Sequence, residues 1–80
     1  MATTHEDLVL DARGLLCPMP IVKTAKAMKE LEPGQVLKVM ATDRGAITDV
    51  PAWAETTGNE LLESHEEEDG VLVFHLRKHD

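Results

Sequence analysis

The chain has very little cysteine and few aromatic residues. Of its 80 residues, one is Cys, one is Trp, one is Phe and none is Tyr. A single thiol excludes an intramolecular disulfide, a Cys-rich zinc site and a redox centre that needs a second, resolving cysteine. The absence of Tyr excludes a phenol as acid, base or radical carrier. The fold must therefore be held by packing alone, and any thiol chemistry falls to Cys17.

Positive charge is also scarce, since 8 Lys and Arg stand against 15 Asp and Glu, for a formal net charge of -7. Nucleic-acid binding requires a basic surface, so we expect no nucleic-acid partner. No apolar run is long enough for a membrane span, and the acidic first residues are unlike a signal peptide. We therefore expect a cytoplasmic protein without a membrane partner.

The apolar pattern predicts a single domain over residues 1–80, with residues 1–6 as a flexible N-terminus. Alternating apolar residues indicate strands, recurrence at helical spacing indicates helices, and an Asp-Gly pair indicates a final hairpin. The predicted strands are residues 8–12, 35–42, 59–67 and 71–78, and the predicted helices are residues 18–31 and 46–57. For the second helix, we expect Thr48 or Asp49 near the N-cap and Pro51 in the first turn.

The predicted order β-α-β-α-β-β indicates an α+β fold. Right-handed crossovers would place both helices on one face of a mixed four-stranded sheet, giving a two-layer α/β sandwich. If the first two strands are parallel, the loops that follow them leave the same edge of the sheet. We therefore expect Cys17 to lie beside the turn formed by residues 43–45.

The tetrapeptide Cys17-Pro18-Met19-Pro20 stands where the first strand gives way to the first helix. Pro is tolerated in the first turn of a helix, so Cys17 is predicted at the N-cap or one residue from it. The positive end of the helix would there lower the pKa of the thiol from about 8.5. Pro20 is expected to hold Met19 away from helical geometry. A buried structural thiol is the competing interpretation.

Few reactions suit one exposed thiolate in so small a protein. A hydrolase needs a base beside the nucleophile, and the sequence places no histidine beside Cys17. The four histidines are scattered (His5, His65, His75 and His79), so we expect no metal site, and no cofactor is implied. A persulfide carrier needs only a nucleophilic sulfur, stabilisation of its anion and access for a partner.

Residues 10–20, which read Leu-Asp-Ala-Arg-Gly-Leu-Leu-Cys-Pro-Met-Pro, resemble the opening signature of the TusA-like (SirA-like) sulfur carrier family. Residues 43–53, with Asp49-Val50-Pro51, resemble its second motif, and the terminal hairpin also matches. The resemblance implies a strand order 1-2-4-3 with strand 4 antiparallel. It also implies that Cys17 accepts sulfane sulfur as a persulfide and passes it to another protein. Arg44 departs from the pattern, because the family often has Pro there.

The resemblance implies two protein partners: a sulfur donor, such as a cysteine desulfurase or a rhodanese-like protein, and a sulfur acceptor. The relay would serve tRNA thiolation, molybdenum-cofactor assembly or sulfur metabolism, and the sequence does not choose among them. A carrier must expose its thiol, so we expect a monomer. The alternative is a non-catalytic regulatory interaction module, in which partner binding survives Cys17→Ser.

Several residues are candidates for supporting roles around Cys17. The proposed set is Pro18, Met19, Pro20, Gly14, Asp11 and Arg44. Arg44 would stabilise a persulfide anion, or would be a surface charge of its turn. Asp11 and Asp49 are expected to cap or orient loops. Lys23 and Lys26 are candidates for binding an acidic partner, although a solvated helix face is the simpler interpretation.

Overall fold

The computed structural model describes residues 6–79. Its elements follow the predicted order β-α-β-α-β-β. They are β1 (Leu8–Ala12), α1 (Met19–Met28), β2 (Val36–Ala41), α2 (Ala46–Thr57), β3 (Glu60–Glu66) and β4 (Leu72–Arg77). The prediction of a flexible N-terminus falls mostly on residues 1–5, which lie outside the described residues.

The four strands form one mixed sheet in the order β1-β2-β4-β3. β1 and β2 run parallel, whereas β4 is antiparallel to both β2 and β3. A parallel pair needs a crossover connection, which α1 supplies, while the antiparallel β3–β4 pair needs only a short turn. The predicted α+β fold and the strand order are confirmed.

The core lies between the sheet and the two helices. Alternate residues of the central strands point towards the helices, so cross-strand neighbours such as Leu37 and Leu76 are both fully buried. Val50 of α2 is fully buried against the same face, and Met28 of α1 is nearly so. Full burial of such a side chain contributes about 1.5–3 kcal/mol, which explains how packing alone supports so short a chain. Both helices therefore occupy one face of the sheet.

The start of α1 differs from the prediction. Met19 is helical, so the expectation that Pro20 holds it out of the helix is wrong. The amide of Met19 donates to the carbonyl of Leu16 over 2.9 Å, and Pro20 is buried, so turn formation and core packing outweigh the local preference. α1 also ends earlier than predicted. Leu31 follows in a tighter turn, in which its amide donates to the carbonyl of Met28 over 3.1 Å.

α2 spans the predicted residues 46–57, but its N-cap differs from the prediction. Its N-cap is Gly45, and Asp49 lies in the first turn, beyond the cap. The helix begins immediately after the turn because the amide of Ala46 already donates to the carbonyl of Asp43 over 3.0 Å. Pro51 consequently lies inside the helix and not in its first turn. Because Gly45 is the N-cap, the carboxylate of Asp49 does not cap the helix and can reach another loop.

Within residues 6–79, no helix is both long enough and apolar enough to span a membrane.

Candidate functional site

Two loops meet at one edge of the sheet. Ala12 and Ala41, the last residues of β1 and β2, are register partners, so the loops that follow leave the sheet at the same level. The amide of Gly14 donates to Oγ1 of Thr42 over 2.8 Å, and the amide of Cys17 donates to Oδ2 of Asp43 over 2.8 Å. The predicted proximity of Cys17 to the turn at residues 43–45 is confirmed.

Cys17 lies one residue before the N-cap of α1, which is Pro18. The peptide bond between the two residues is cis. Cys17 is exposed, so the interpretation as a buried structural thiol does not hold. Two apolar side chains beside it are also exposed, Leu16 by 74% and Met19 by 40%. The thiol therefore stands in an accessible surface that is partly apolar.

The thiol itself is bound to a carboxylate. Sγ of Cys17 donates to Oδ2 of Asp49 over 3.0 Å. This hydrogen bond raises the pKa of Cys17, and desolvation and the negative charges of Asp49 and Asp43 raise it further. The expectation that the helix terminus lowers the thiol pKa is therefore wrong, because a carboxylate in direct contact outweighs the partial charge of the helix end. At neutral pH the resting group is a thiol.

The loop between β1 and Cys17 is shaped by Asp11 and Gly14. Oδ1 of Asp11 accepts bonds from the amide of Arg13 over 3.1 Å and from its Nε over 2.8 Å, while Oδ2 accepts from its terminal nitrogen over 2.8 Å. These side-chain and backbone bonds, joined by the charge of Arg13, lower the pKa of Asp11 to about 2. Gly14 has φ +82° in the turn that the amide of Leu15 closes on the carbonyl of Ala12. A positive φ at this position suits a glycine.

Pro20 anchors the first turn of α1 to the core. Its ring is buried, and its carbonyl accepts a hydrogen bond from Oγ1 of the buried Thr24 over 2.7 Å. Pro18 and Met19 stand on the exposed side of the same turn. The tetrapeptide therefore has a buried end that fixes the helix and an exposed end that presents the thiol.

The basic candidates lie apart from the thiol contact. Arg44 pairs with Glu66 of β3, its terminal nitrogen lying 2.9 Å from the carboxylate. Its guanidinium is therefore engaged with the hairpin. Lys23 and Lys26 are exposed on α1. The contacts of Cys17 come instead from Asp43 and Asp49.

The sequence reasoning missed the direct contacts of these two acids. Asp49 was expected only to cap or orient a loop, and Asp43 only to form a turn. A signal was available: both acids follow β2, which ends at the same edge as the strand before Cys17. Side chains that follow neighbouring parallel strands meet at such an edge.

No metal centre is evident in the described part of the chain. Residues 6–79 contain no group of three or more His, Cys, Asp or Glu side chains arranged to hold an ion.

The family model of sulfurtransferase TusA matches residues 8–78. The chain belongs to the TusA family. Its similarity to the putative sulfur carrier protein YrkI of Bacillus subtilis is 57% identity over 72 residues, covering 90% of the chain and 95% of that relative. It is also 49% identical over 72 residues to the sulfur carrier protein TusA of Allochromatium vinosum, covering 90% and 93% of the two chains.

A solved structure has the same fold as this TusA-family chain. The SirA-like protein from Desulfitobacterium hafniense superposes with a TM-score of 0.80 at 28% identity, over 91% of the chain and 99% of that protein. The resemblance predicted from residues 10–20 and 43–53 is confirmed by the family and by this structure.

Proposed function

We propose that this TusA-family protein is a sulfur carrier, which accepts sulfane sulfur as a persulfide on Cys17 and transfers it to an acceptor protein. The observation that carries the proposal is an exposed thiol at the edge of the sheet, held by two loops and unaccompanied by a second cysteine. The names of its relatives support the same role.

The reaction is an exchange of one sulfur atom. Sγ of Cys17 attacks the outer sulfur of a donor persulfide, so that a new S–S bond forms and the donor S–S bond breaks. The donor sulfur leaves with the electron pair as a thiolate and takes up the proton that Cys17 gives up. Delivery to the acceptor repeats the exchange, with Cys17 as the leaving group. No net oxidation or reduction accompanies either step.

Both exchanges require direct contact with a partner protein. We propose a donor of the cysteine desulfurase or rhodanese-like class, and an acceptor in tRNA thiolation, molybdenum-cofactor assembly or sulfur metabolism. The exposed side chains of Leu16 and Met19 offer apolar area for such contacts. We further propose that the carrier is a monomer and works in a reducing compartment such as the cytoplasm, where a lone thiol stays free.

Intact-mass measurement tests the carrier role. The protein is incubated with a persulfide-charged cysteine desulfurase, and its mass is measured before and after treatment with dithiothreitol. We expect the wild type to gain one sulfur atom that dithiothreitol removes, and Cys17→Ser to gain none. Failure of the wild type to gain the adduct, or an equal gain in Cys17→Ser, rules out the proposal. If Cys17→Ser then bound a partner protein with the same affinity as the wild type, the regulatory interaction module would be favoured.

A further inference from the structure

Two carboxylates lie at Cys17. Oδ2 of Asp49 is 3.0 Å from Sγ, and Oδ2 of Asp43 is 2.8 Å from the amide nitrogen of Cys17. Both acids are half-buried, which reduces the screening of their charge by water. Within residues 6–79, neither acid forms an ion pair with Lys or Arg.

The arginines of the two loops are each paired with other acids. Arg13 contacts Asp11 over 2.8 Å, and Arg44 contacts Glu66 over 2.9 Å. The net charge of the chain, -7, adds to the negative potential at this end. A reagent that approaches Sγ therefore meets a negative field.

A negative field at Cys17 distinguishes between two forms in which sulfane sulfur can arrive: a free anion and a group attached to a protein. Free sulfane sulfur in neutral water is carried by anions, such as inorganic polysulfide, which the carboxylates repel. A donor protein brings the sulfur covalently attached and can place its own Lys or Arg side chains against the acids. Complementary charges of this kind speed association, and like charges suppress unsuitable partners.

We propose that Asp49, assisted by Asp43, makes Cys17 selective for sulfur delivered by a protein with a basic surface around its own reactive sulfur, and against free anionic sulfane sulfur. The inference rests on the proposed function, because it assumes that Cys17 receives sulfur. Asp49 thereby acts as a specificity-determining residue that contacts the reacting atom.

The excluded reaction would be the same chemical exchange. Sγ would attack a sulfur atom of polysulfide, an Sγ–S bond would form, and an S–S bond of polysulfide would break. The shorter polysulfide would leave with the electron pair and take up the thiol proton. The same kinds of bond form and break with polysulfide as with a protein donor. The selectivity between the two donors must therefore come from the electrostatic interactions of the approaching donor with the carboxylates.

Two alkylating reagents of nearly equal size measure the field directly. Iodoacetamide is neutral and iodoacetate is an anion, while both react with the same thiolate and release iodide. The ratio of their rates therefore cancels any change in the pKa of Cys17. We expect the ratio of iodoacetamide to iodoacetate rates to fall roughly fivefold in Asp49→Asn at low salt, because the substitution removes the nearest negative charge.

Matched controls identify the source of the effect. Glu55→Gln removes an equal charge from an exposed position later in α2, and should leave the ratio unchanged. Asp49→Glu keeps the charge and should preserve most of the ratio. In wild type, raising the salt to about 1 M shortens the Debye length to about 3 Å and should reduce the ratio towards that of Asp49→Asn. This salt titration needs no variant, so it tests the proposal even if a substitution prevents folding.

Sulfur loading provides the second measurement. Wild type and Asp49→Asn are each treated with inorganic polysulfide, and persulfide formation is followed by intact mass and divided by the iodoacetamide rate. We expect a larger normalised rate for Asp49→Asn. Equal reagent ratios in wild type and Asp49→Asn at low salt, or no effect of salt on the wild-type ratio, would overturn the selectivity. Because alkylation does not depend on sulfur carriage, these failures are distinguishable from failure of the desulfurase loading test.

Discussion

The thiol of Cys17 and the carboxylate of Asp49 are joined by a hydrogen bond of 3.0 Å across 32 positions of sequence. Asp49 comes from the first turn of α2, and Cys17 immediately precedes the N-cap of α1. A nucleophilic cysteine is usually activated by a neighbouring cation or a helix terminus. Here the nearest ionisable neighbour favours the protonated form, which raises the pKa of the Cys17 thiol.

The first prediction concerns the titration of Cys17. Because the bond to Asp49 raises the thiol pKa, thiolate absorbance in the folded protein should appear at higher pH than in the same protein unfolded in urea. In Asp49→Asn, the folded midpoint should move down towards the urea value. A folded midpoint below the urea value in wild type would contradict the arrangement of charges described here.

The second prediction concerns Asp11 and acid stability. Its folded pKa of about 2 lies below the ordinary value of 3.8. The stability that Asp11 contributes is therefore present above the unfolded pKa and is lost as the pH falls through about 2. Asp11→Asn should therefore melt below the wild type at pH 6, and the difference should shrink between pH 4 and pH 2. Glu68→Gln, an exposed acid of the β3–β4 turn, serves as control and should show no such pH dependence. Parallel melting curves of wild type and Asp11→Asn at all pH values would refute this role.

The third prediction compares alanine substitutions at two glycines, one near Cys17 and one far from it, to distinguish an effect on stability from an effect on the geometry of the site. Gly14 and Gly34 have φ of +82° and +88°, and a Cβ at either would meet no atom within 4 Å. Alanine at each should therefore cost only the backbone strain, about 1–2 kcal/mol in urea unfolding. Gly14→Ala should also change the iodoacetamide rate of Cys17, since it distorts the loop leading to the thiol. Gly34→Ala, at the other end of β2, should not; equal effects on the thiol would disprove the distinction.

The fourth prediction concerns Arg44. Its guanidinium is bound to Glu66, and the pair is exposed, so it is worth little energetically. Arg44→Ala should change the rate of persulfide loading from a desulfurase by less than about twofold, and Glu66→Gln should behave alike. A large loss in Arg44→Ala alone would show that the guanidinium leaves Glu66 to stabilise the persulfide during transfer.

The architecture could be predicted from sequence because its signals are periodic and local. Alternation in β4, helical spacing in α1 and the Asp69-Gly70 turn each indicate one element, and the handedness of crossovers leaves few arrangements of the whole. The local geometry at the helix N-termini was less predictable. The positions of Met19 and Asp49 depend on turn hydrogen bonds and on burial. The free energies of these interactions are similar in size to the local conformational preferences that oppose them.

The state of the thiol could not be predicted in the same way. The helix terminus beside Cys17 is visible in sequence, and it suggests a lowered pKa. The opposing carboxylate comes from a residue 32 positions away whose direction depends on where α2 begins. A shift of one residue at that start would rotate Asp49 by about 100° around the helix axis and aim it elsewhere. The sign of the pKa shift therefore follows from tertiary structure.

The pairing of Ala12 with Ala41 has a consequence for how this protein tolerates change. The two loops leave the sheet from register partners. The distance between the Cys17 thiol and the Asp49 carboxylate therefore depends on the number of residues in each loop before its helix begins. We expect a single-residue insertion between positions 42 and 45 to leave every strand pair intact and to break the hydrogen bond between Asp49 and Cys17. Loop length is thus a control on thiol reactivity that can be adjusted without disturbing the core.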